Sequence, residues 1–222
     1  ISVDDVADVI IELANEGIDT VESYSSYALA NHLEHLTLMG TENINGAGNS
    51  LANAIKGNTG NNVLVGGAGN DTLMGGLGND VYLFGRGAEQ DTIDNTDDSN
   101  GDDMLLFSQG ISSEQLWLQQ NGNHLLISIV SVSQQTITND DGSTSTSVQI
   151  SQSSDQLTIK DWYSSSQTQL DLLQLADGKS LLNSEVQLLV DAMAQFAPSA
   201  TNTITLSTAD YNTLNAKIIA AW

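Results

Sequence analysis

A period of nine residues governs the middle of this chain. Residues 57–83 divide into GNTGNNVLV, GGAGNDTLM and GGLGNDVYL, each with glycines first, then an Asn-Asn or Asn-Asp pair, a spacer and one large apolar residue. Leu64, Leu73 and Tyr82 therefore recur at a fixed interval, and Ile55 extends the series backwards. A repeat this short cannot bury its own apolar side chain, so successive units must stack as a solenoid. Gly48–Lys56 is the first recognisable unit, although Leu51 stands where later units have glycine. The sixth position is Asn53 and Asn62 in the first two units, then Asp71 and Asp80. After Tyr82 two residues are added, so the acid returns at Asp91 rather than at Glu89.

If two units make one turn, residues two units apart become neighbours at about 4.8 Å, the spacing of paired strands. Asn53 then meets Asp71, Asn62 meets Asp80, and Asp71 approaches Asp91. Calcium suits such a stack. It takes six to eight oxygens at about 2.3–2.6 Å, drawn from carboxylates and backbone carbonyls, and glycine lets the loops aim carbonyls inward.

Charge points the same way. The chain has 28 acidic residues against five basic ones, for a formal net charge of −23. Nucleic acid and anionic membrane surfaces are poor partners for that field, because both need clustered Lys and Arg. Cysteine is absent, which excludes disulfides and thiolate metal sites. No window approaches the roughly 18 apolar residues that span a bilayer, so membrane insertion is not expected. The chain opens on Ile1 in sequence that already reads as structured, and is expected to be part of a longer protein.

Outside the repeats the pattern loosens. Residues 1–46 read as a degenerate coil flank, in which Asp8-Val9-Ile10 and Asp19-Thr20-Val21 repeat acid, spacer and apolar residue, with a turn at Asn15-Glu16-Gly17. Ala28–Leu38 reads as a strand, and three-residue spacing on it puts His32 and His35 on opposite faces, as surface residues rather than a metal pair. Residues 47–107 form the coil. Within them the acid-rich stretch 94–103 reads as a solvated loop, after which Asp103-Met104-Leu105 allows one more turn. Residues 108–182 read as an antiparallel sheet capping the open end, with Trp117, His124 and Trp162 in the sheet or core. Residues 183–222 read as two helices: one capped by Ser184 and ending before Pro198, the other with Ser207 and Asp210 in a capping box and Leu206 and Tyr211 in staple positions.

Gly66–Met74 and Gly75–Leu83 match in full the pattern GGxGxDxUx, and on these residues the chain resembles the RTX, or hemolysin-type, calcium-binding repeat proteins. ANEGIDTVES, LFGRGAEQDTI and the segments around Asp161-Trp162-Tyr163 and Ala176-Asp177-Gly178 are similar to sequences that flank such repeats. The resemblance implies a mainly β fold: a parallel β-roll of calcium-binding repeats, capped by antiparallel strands and C-terminal helices. It implies ligands besides Asp71, Asp80, Asp91, Asn53 and Asn62. Backbone carbonyls of Asn58, Gly60, Gly75 and Leu77 would serve one ion, those of Asn49, Leu51, Gly66 and Ala68 a second, and those of Gly67 and Gly69 a third with Asp91. The uncharged Asn53 and Asn62 imply weaker sites, and Ala88 stands where related turns carry an acid.

The function implied is a non-catalytic module that folds on calcium outside the cell and supports type I secretion of a large surface protein such as an adhesin. The C-terminal stretch TNTITLSTADYNTLNAKIIAAW resembles an uncleaved secretion signal. Two other readings stay open: the end of a secreted lipase or protease, and a calcium-dependent module recognising a cell-surface glycan or protein. Neither Gly-x-Ser-x-Gly nor His-Glu-x-x-His occurs in the chain.

Overall fold

A computed structural model describes residues 1–3, 10–13, 17–96, 101–196 and 203–222. Asp8 and Val9, the Asn15-Glu16 turn, the middle of the acid-rich stretch and Pro198 lie outside the described residues.

The chain winds between two facing parallel sheets, one strand in each per turn. The first contains Ser2–Val3, Thr20–Ser23, His35–Leu38, Ala54–Lys56, Thr72–Met74 and Gln90–Ile93 in spatial order. The second contains Tyr27–Ala28, Gly46–Ala47, Val63–Val65, Val81–Phe84 and Met104–Phe107. Ile55 pairs with Leu73 and Leu64 with Tyr82, a step of 18 residues in each sheet (73 − 55 and 82 − 64). The solenoid expected from the period, and the parallel β-roll implied by the resemblance, is thus the fold. Later turns lengthen: Leu73 pairs with Ile93, a step of 20, and Tyr82 with Leu105, a step of 23.

Period two within each short strand sends one side chain of the repeat inward. Leu36, Ile55, Leu73, Ile93 and Ile159 form a buried column from one sheet, opposed by Leu64, Tyr82, Leu105 and Leu173 from the other. Burying a side chain of this size contributes roughly 1.5–3 kcal/mol. The column is what makes each turn depend on its neighbours.

The cap differs in one respect from the sequence expectation. Thr144–Ile159 joins Gln90–Ile93 in parallel, as one more rung of the coil, and only then do His124–Thr138 and Leu116–Asn121 follow antiparallel. A strand covering the last rung of a parallel stack can run with it, because its own hairpin supplies the reversal. In the second sheet, Leu172–Gln174 adds in parallel to Met104–Phe107 and turns back through Ser180–Leu182. Trp117 and Trp162 are buried as expected. His124 sits at a strand start, where its Nδ1 accepts the Asp161 N–H at 2.9 Å.

Ala28–Leu38 is not one strand but two, Tyr27–Ala28 and His35–Leu38, one in each sheet. The turn between them holds His32 in a left-handed conformation (φ 73°). Helix α1 spans Asn183–Ala194 and is capped at Leu182 rather than at Ser184, with the Glu185 carboxylate accepting the Leu182 N–H at 3.3 Å. Helix α2 spans Thr208–Ala221, and Ser207 Oγ accepts the Asp210 N–H at 3.1 Å. Its end brings Trp222 edge-on to Phe107 of the roll, ring centroids 6.3 Å apart. No helix among the described residues is long and apolar enough to cross a membrane.

Candidate metal centre

Each turn of the roll has two loops, one at either edge, and the sixth repeat residue ends each loop just before its strand. At one edge, Asn53 N–H donates to Asp71 Oδ1 at 2.7 Å and Asp71 N–H to Asp91 Oδ1 at 3.0 Å. At the other, Asn62 N–H donates to Asp80 Oδ1 at 2.7 Å and Asp80 N–H to Asp103 Oδ1 at 2.8 Å. One carboxylate oxygen of each rung is therefore used to register the turn before it. All five side chains Asn53, Asn62, Asp71, Asp80 and Asp91 are at least 97 % buried.

The second oxygen is the informative one. Asp71 Oδ2 is buried and has no hydrogen-bond partner. An isolated buried carboxylate oxygen costs several kcal/mol unless a charge meets it. Burial pushes the Asp71 carboxyl up to about 6, against the lowering by the Asn53 N–H, and the charge of Glu89 adds to the rise. Burial likewise raises Asp91 to about 7, against the Asp71 N–H, with Asp71, Asp155 and Glu89 adding their charges. This is the electrostatics of a place that wants a cation.

Glycine lets the loops close on that place. A methyl group added at Gly66 would collide with Asp71 Oδ2, and one at Gly75 with Asp80 Oδ2. Gly67 adopts φ 107°, and a methyl there would strike Asn49 O. Loop stacks upon loop: methyls at Gly69, Gly76 and Gly78 would strike Leu51 O, Asn58 O and Gly60 O, and those at Gly48 and Gly57 would strike Gly66 O and Gly75 O. The carbonyls of Asn49, Leu51 and Gly66 thus lie between one pair of loops, and those of Asn58, Gly60 and Gly75 between the other. Ala68 donates its N–H to Asn49 O at 3.2 Å, and Leu51 and Leu77 direct their side chains to solvent at the loop tips. Among the described residues no three His, Cys, Asp or Glu side chains converge as a ready metal cluster. A donor set made mostly of backbone carbonyls with a few carboxylate oxygens is what calcium accepts and softer metals do not. The residues present fit calcium.

The loop that carries the insertion is built differently. Gly87 N–H and Glu89 N–H donate to Asp155 Oδ1 at 3.0 and 3.3 Å, so a residue of the cap secures it. Gly67 and Gly69 face Asn49 and Leu51 of the preceding turn, while Asp91 contributes Oδ1 to the Asp71 N–H. Ala88 is buried.

The acid-rich stretch is not solvated at its ends: Asp94, Asn95 and Asp103 are all buried. Asp94 has its burial offset by Lys160, whose ammonium lies 2.6 Å away and holds the carboxyl below its usual range. Asp103 N–H donates to Asp171 Oδ2 at 3.0 Å, carrying the second ladder into the cap. Sequence reading missed Asp155, Asp171 and Glu34, whose Oε2 accepts the Asp19 N–H at 3.0 Å. Glu34-His35-Leu36 and Asp171-Leu172-Leu173 both carry acid, spacer and apolar residue, so the signal was there without the glycines. A further ladder also escaped notice: Asn43 Oδ1 accepts Asn61 N–H at 2.9 Å, and Asn61 Oδ1 accepts Asn79 N–H at 2.9 Å. Fifth-position asparagine thus stitches exposed loop backbones together without metal.

Residues 47–88 match the family model of the RTX calcium-binding nonapeptide repeat in 4 copies. Residues 147–184 match that of the haemolysin-type calcium binding protein related domain. No curated protein matches the chain. Residues 47–88 of the coil are therefore RTX repeats, and Ca2+ is the ion such repeats bind.

Proposed function

We propose that this chain, whose coil is an RTX calcium-binding array, is a non-catalytic module that folds when calcium reaches it outside the cell and so supports the export and folding of a larger surface protein. The carrying observation is Asp71 Oδ2, buried without a partner in a loop packed so closely that a methyl group at Gly66 would collide with it. Asn53, Asp71 and Asp91 with the carbonyls of Asn49, Leu51, Gly66, Ala68, Gly67 and Gly69 would hold ions at one edge. Asn62 and Asp80 with the carbonyls of Asn58, Gly60, Gly75 and Leu77 would hold one at the other.

A compact chain of charge −23 repels itself, and each bound ion offsets two of those charges. Sites with Kd of roughly 0.1–1 mM stay empty in a calcium-poor cytosol and fill outside. Calcium at ten times Kd stabilises by about 1.4 kcal/mol per site, enough for a few sites to decide a marginal domain. An unfolded chain is also what a type I secretion channel passes. The similarity to hemolysin-type proteins favours that route and an extracellular destination, with an adhesin as the parent protein.

The test is a calcium titration followed by calorimetry and circular dichroism. Calcium, and not magnesium, should bring in β structure, since magnesium demands small octahedral cages. A spectrum that excess chelator leaves unchanged defeats the switch.

A further inference from the structure

The asparagines of the first two repeats face backwards. At one edge, Asn49 Nδ2 donates to Ala30 O and Leu33 O, both at 2.7 Å, and Asn53 Nδ2 donates to Leu33 O at 3.0 Å and Glu34 O at 3.2 Å. At the other edge, Asn58 Nδ2 donates to Met39 O at 3.1 Å and Glu42 O at 3.0 Å, and Asn62 Nδ2 donates to Ile44 O at 2.5 Å. Carbonyls of the glycine-poor turns before the repeats therefore meet amide N–H groups on both edges.

The orientation of these amides is set by their surroundings. Asn53 Oδ1 accepts the Asn49 N–H at 2.7 Å, and Asn62 Oδ1 accepts the Asn58 N–H at 2.9 Å. Turning either amide over would set its oxygen against carbonyl oxygens and its NH2 against a backbone N–H. If Asn53 were a weak calcium ligand for the gap before it, its oxygen would face that gap. Its nitrogen does.

One gap later the chemistry reverses. Asp71 replaces the amide, and its Oδ2 is left buried without a donor.

We infer that Asn49, Asn53, Asn58 and Asn62 are amide plugs that take the place of calcium between the repeat array and the turns before it. Calcium then enters only the later gaps, beginning at Asp71 on one edge and Asp80 on the other. The Asn53 and Asn62 oxygens each accept one N–H of their own loop and keep a second lone pair for those later gaps, so these residues are boundary elements with a neutral donor behind and an oxygen ahead. The turns at residues 20–46 are thereby fastened to the coil independently of calcium. This inference rests on the reading of the later gaps as calcium sites.

Crystals of the whole chain grown in calcium and examined by calcium anomalous scattering test it directly. Ions should stand beside the Asp71 and Asp80 carboxylates, with none coordinated to the carbonyls of Leu33, Glu34, Glu42 or Ile44. An ion on those carbonyls overturns the plug while leaving the calcium reading intact. Ions nowhere overturn the calcium reading and the plug with it. In solution, Asn53→Asp and Asn62→Asp each set a carboxylate against those carbonyls, so calorimetry should count about one more ion for each variant. The two substitutions lie on opposite edges, so one remains informative where the other fails to fold. An unchanged ion count in a folded variant overturns the plug.

Discussion

At the scale of single residues, Asp71 is on the proposed reading where structure and ion meet, because its Oδ1 registers the turn before it and its Oδ2 is buried without a partner. Asp71→Asn keeps the shape and removes the charge. Its calcium midpoint should rise tenfold or more, a loss of about 1.4 kcal/mol, while the calcium-free coil at neutral pH becomes more stable. Calorimetry and thermal melts read both effects. Acidity should act through the same group. Asp71 at about 6 and Asp91 at about 7 lie above the ordinary 3.8, so the calcium-free folded state holds more protons than the unfolded chain. Its stability should therefore fall as pH rises from about 4 to about 7. Calcium must displace those protons, so its affinity should climb between pH 5 and pH 8 and level off above. Midpoints that do not change with pH would count against these two carboxylates as ligands. Residue-level legibility had a clear limit. The column of sixth positions could be read from Asn53, Asn62, Asp71 and Asp80, but the partners of each side-chain atom could not. That Asn53 turns its nitrogen to Leu33 O depends on a turn that lacks the glycines of the repeat.

At the scale of elements, the loops and the apolar column supply separate tests. Gly67→Ala forces a left-handed alanine, costing about 1–2 kcal/mol, and also strikes Asn49 O. Gly87→Ala has comparable φ, 83°, but nothing within 4 Å of the added methyl. Calcium titration of the two variants should show the larger midpoint shift for Gly67→Ala, and equal shifts would mean that loop stacking is unimportant. Leu73→Ala should cost about 2–5 kcal/mol in calcium-saturated melts, as for any emptied core position. Strand positions were legible wherever the apolar residue kept its interval, as at Ile55, Leu64, Leu73 and Tyr82. They were not legible at Tyr27–Ala28 and Gly46–Ala47, because strands of two residues have too little sequence to show a period. The insertion after Tyr82 hid the role of Asp155, which secures Gly87 and Glu89 from across the cap.

At the scale of the whole molecule, the proposed reading makes the roll a stack whose middle is joined by ions and whose ends are joined by side chains. Amides from Asn49, Asn53, Asn58 and Asn62 serve the beginning. At the far end Lys160 meets Asp94, and Asn95 Nδ2 donates to Asp103 Oδ2 at 2.9 Å. The parallel mode in which the cap joins the coil had no sequence signature, since Gln156–Ile159 looks like any alternating strand and its partner lies more than sixty residues away. The central claim is that calcium, held by the loops of residues 47–93, makes this region fold. Hydrogen exchange followed by mass spectrometry measures it segment by segment, in calcium and in excess chelator. The account predicts that backbone amides of residues 54–93 are strongly protected in calcium and exchange freely once it is removed, with protection returning when calcium is restored. Equal protection of that segment under both conditions would contradict it.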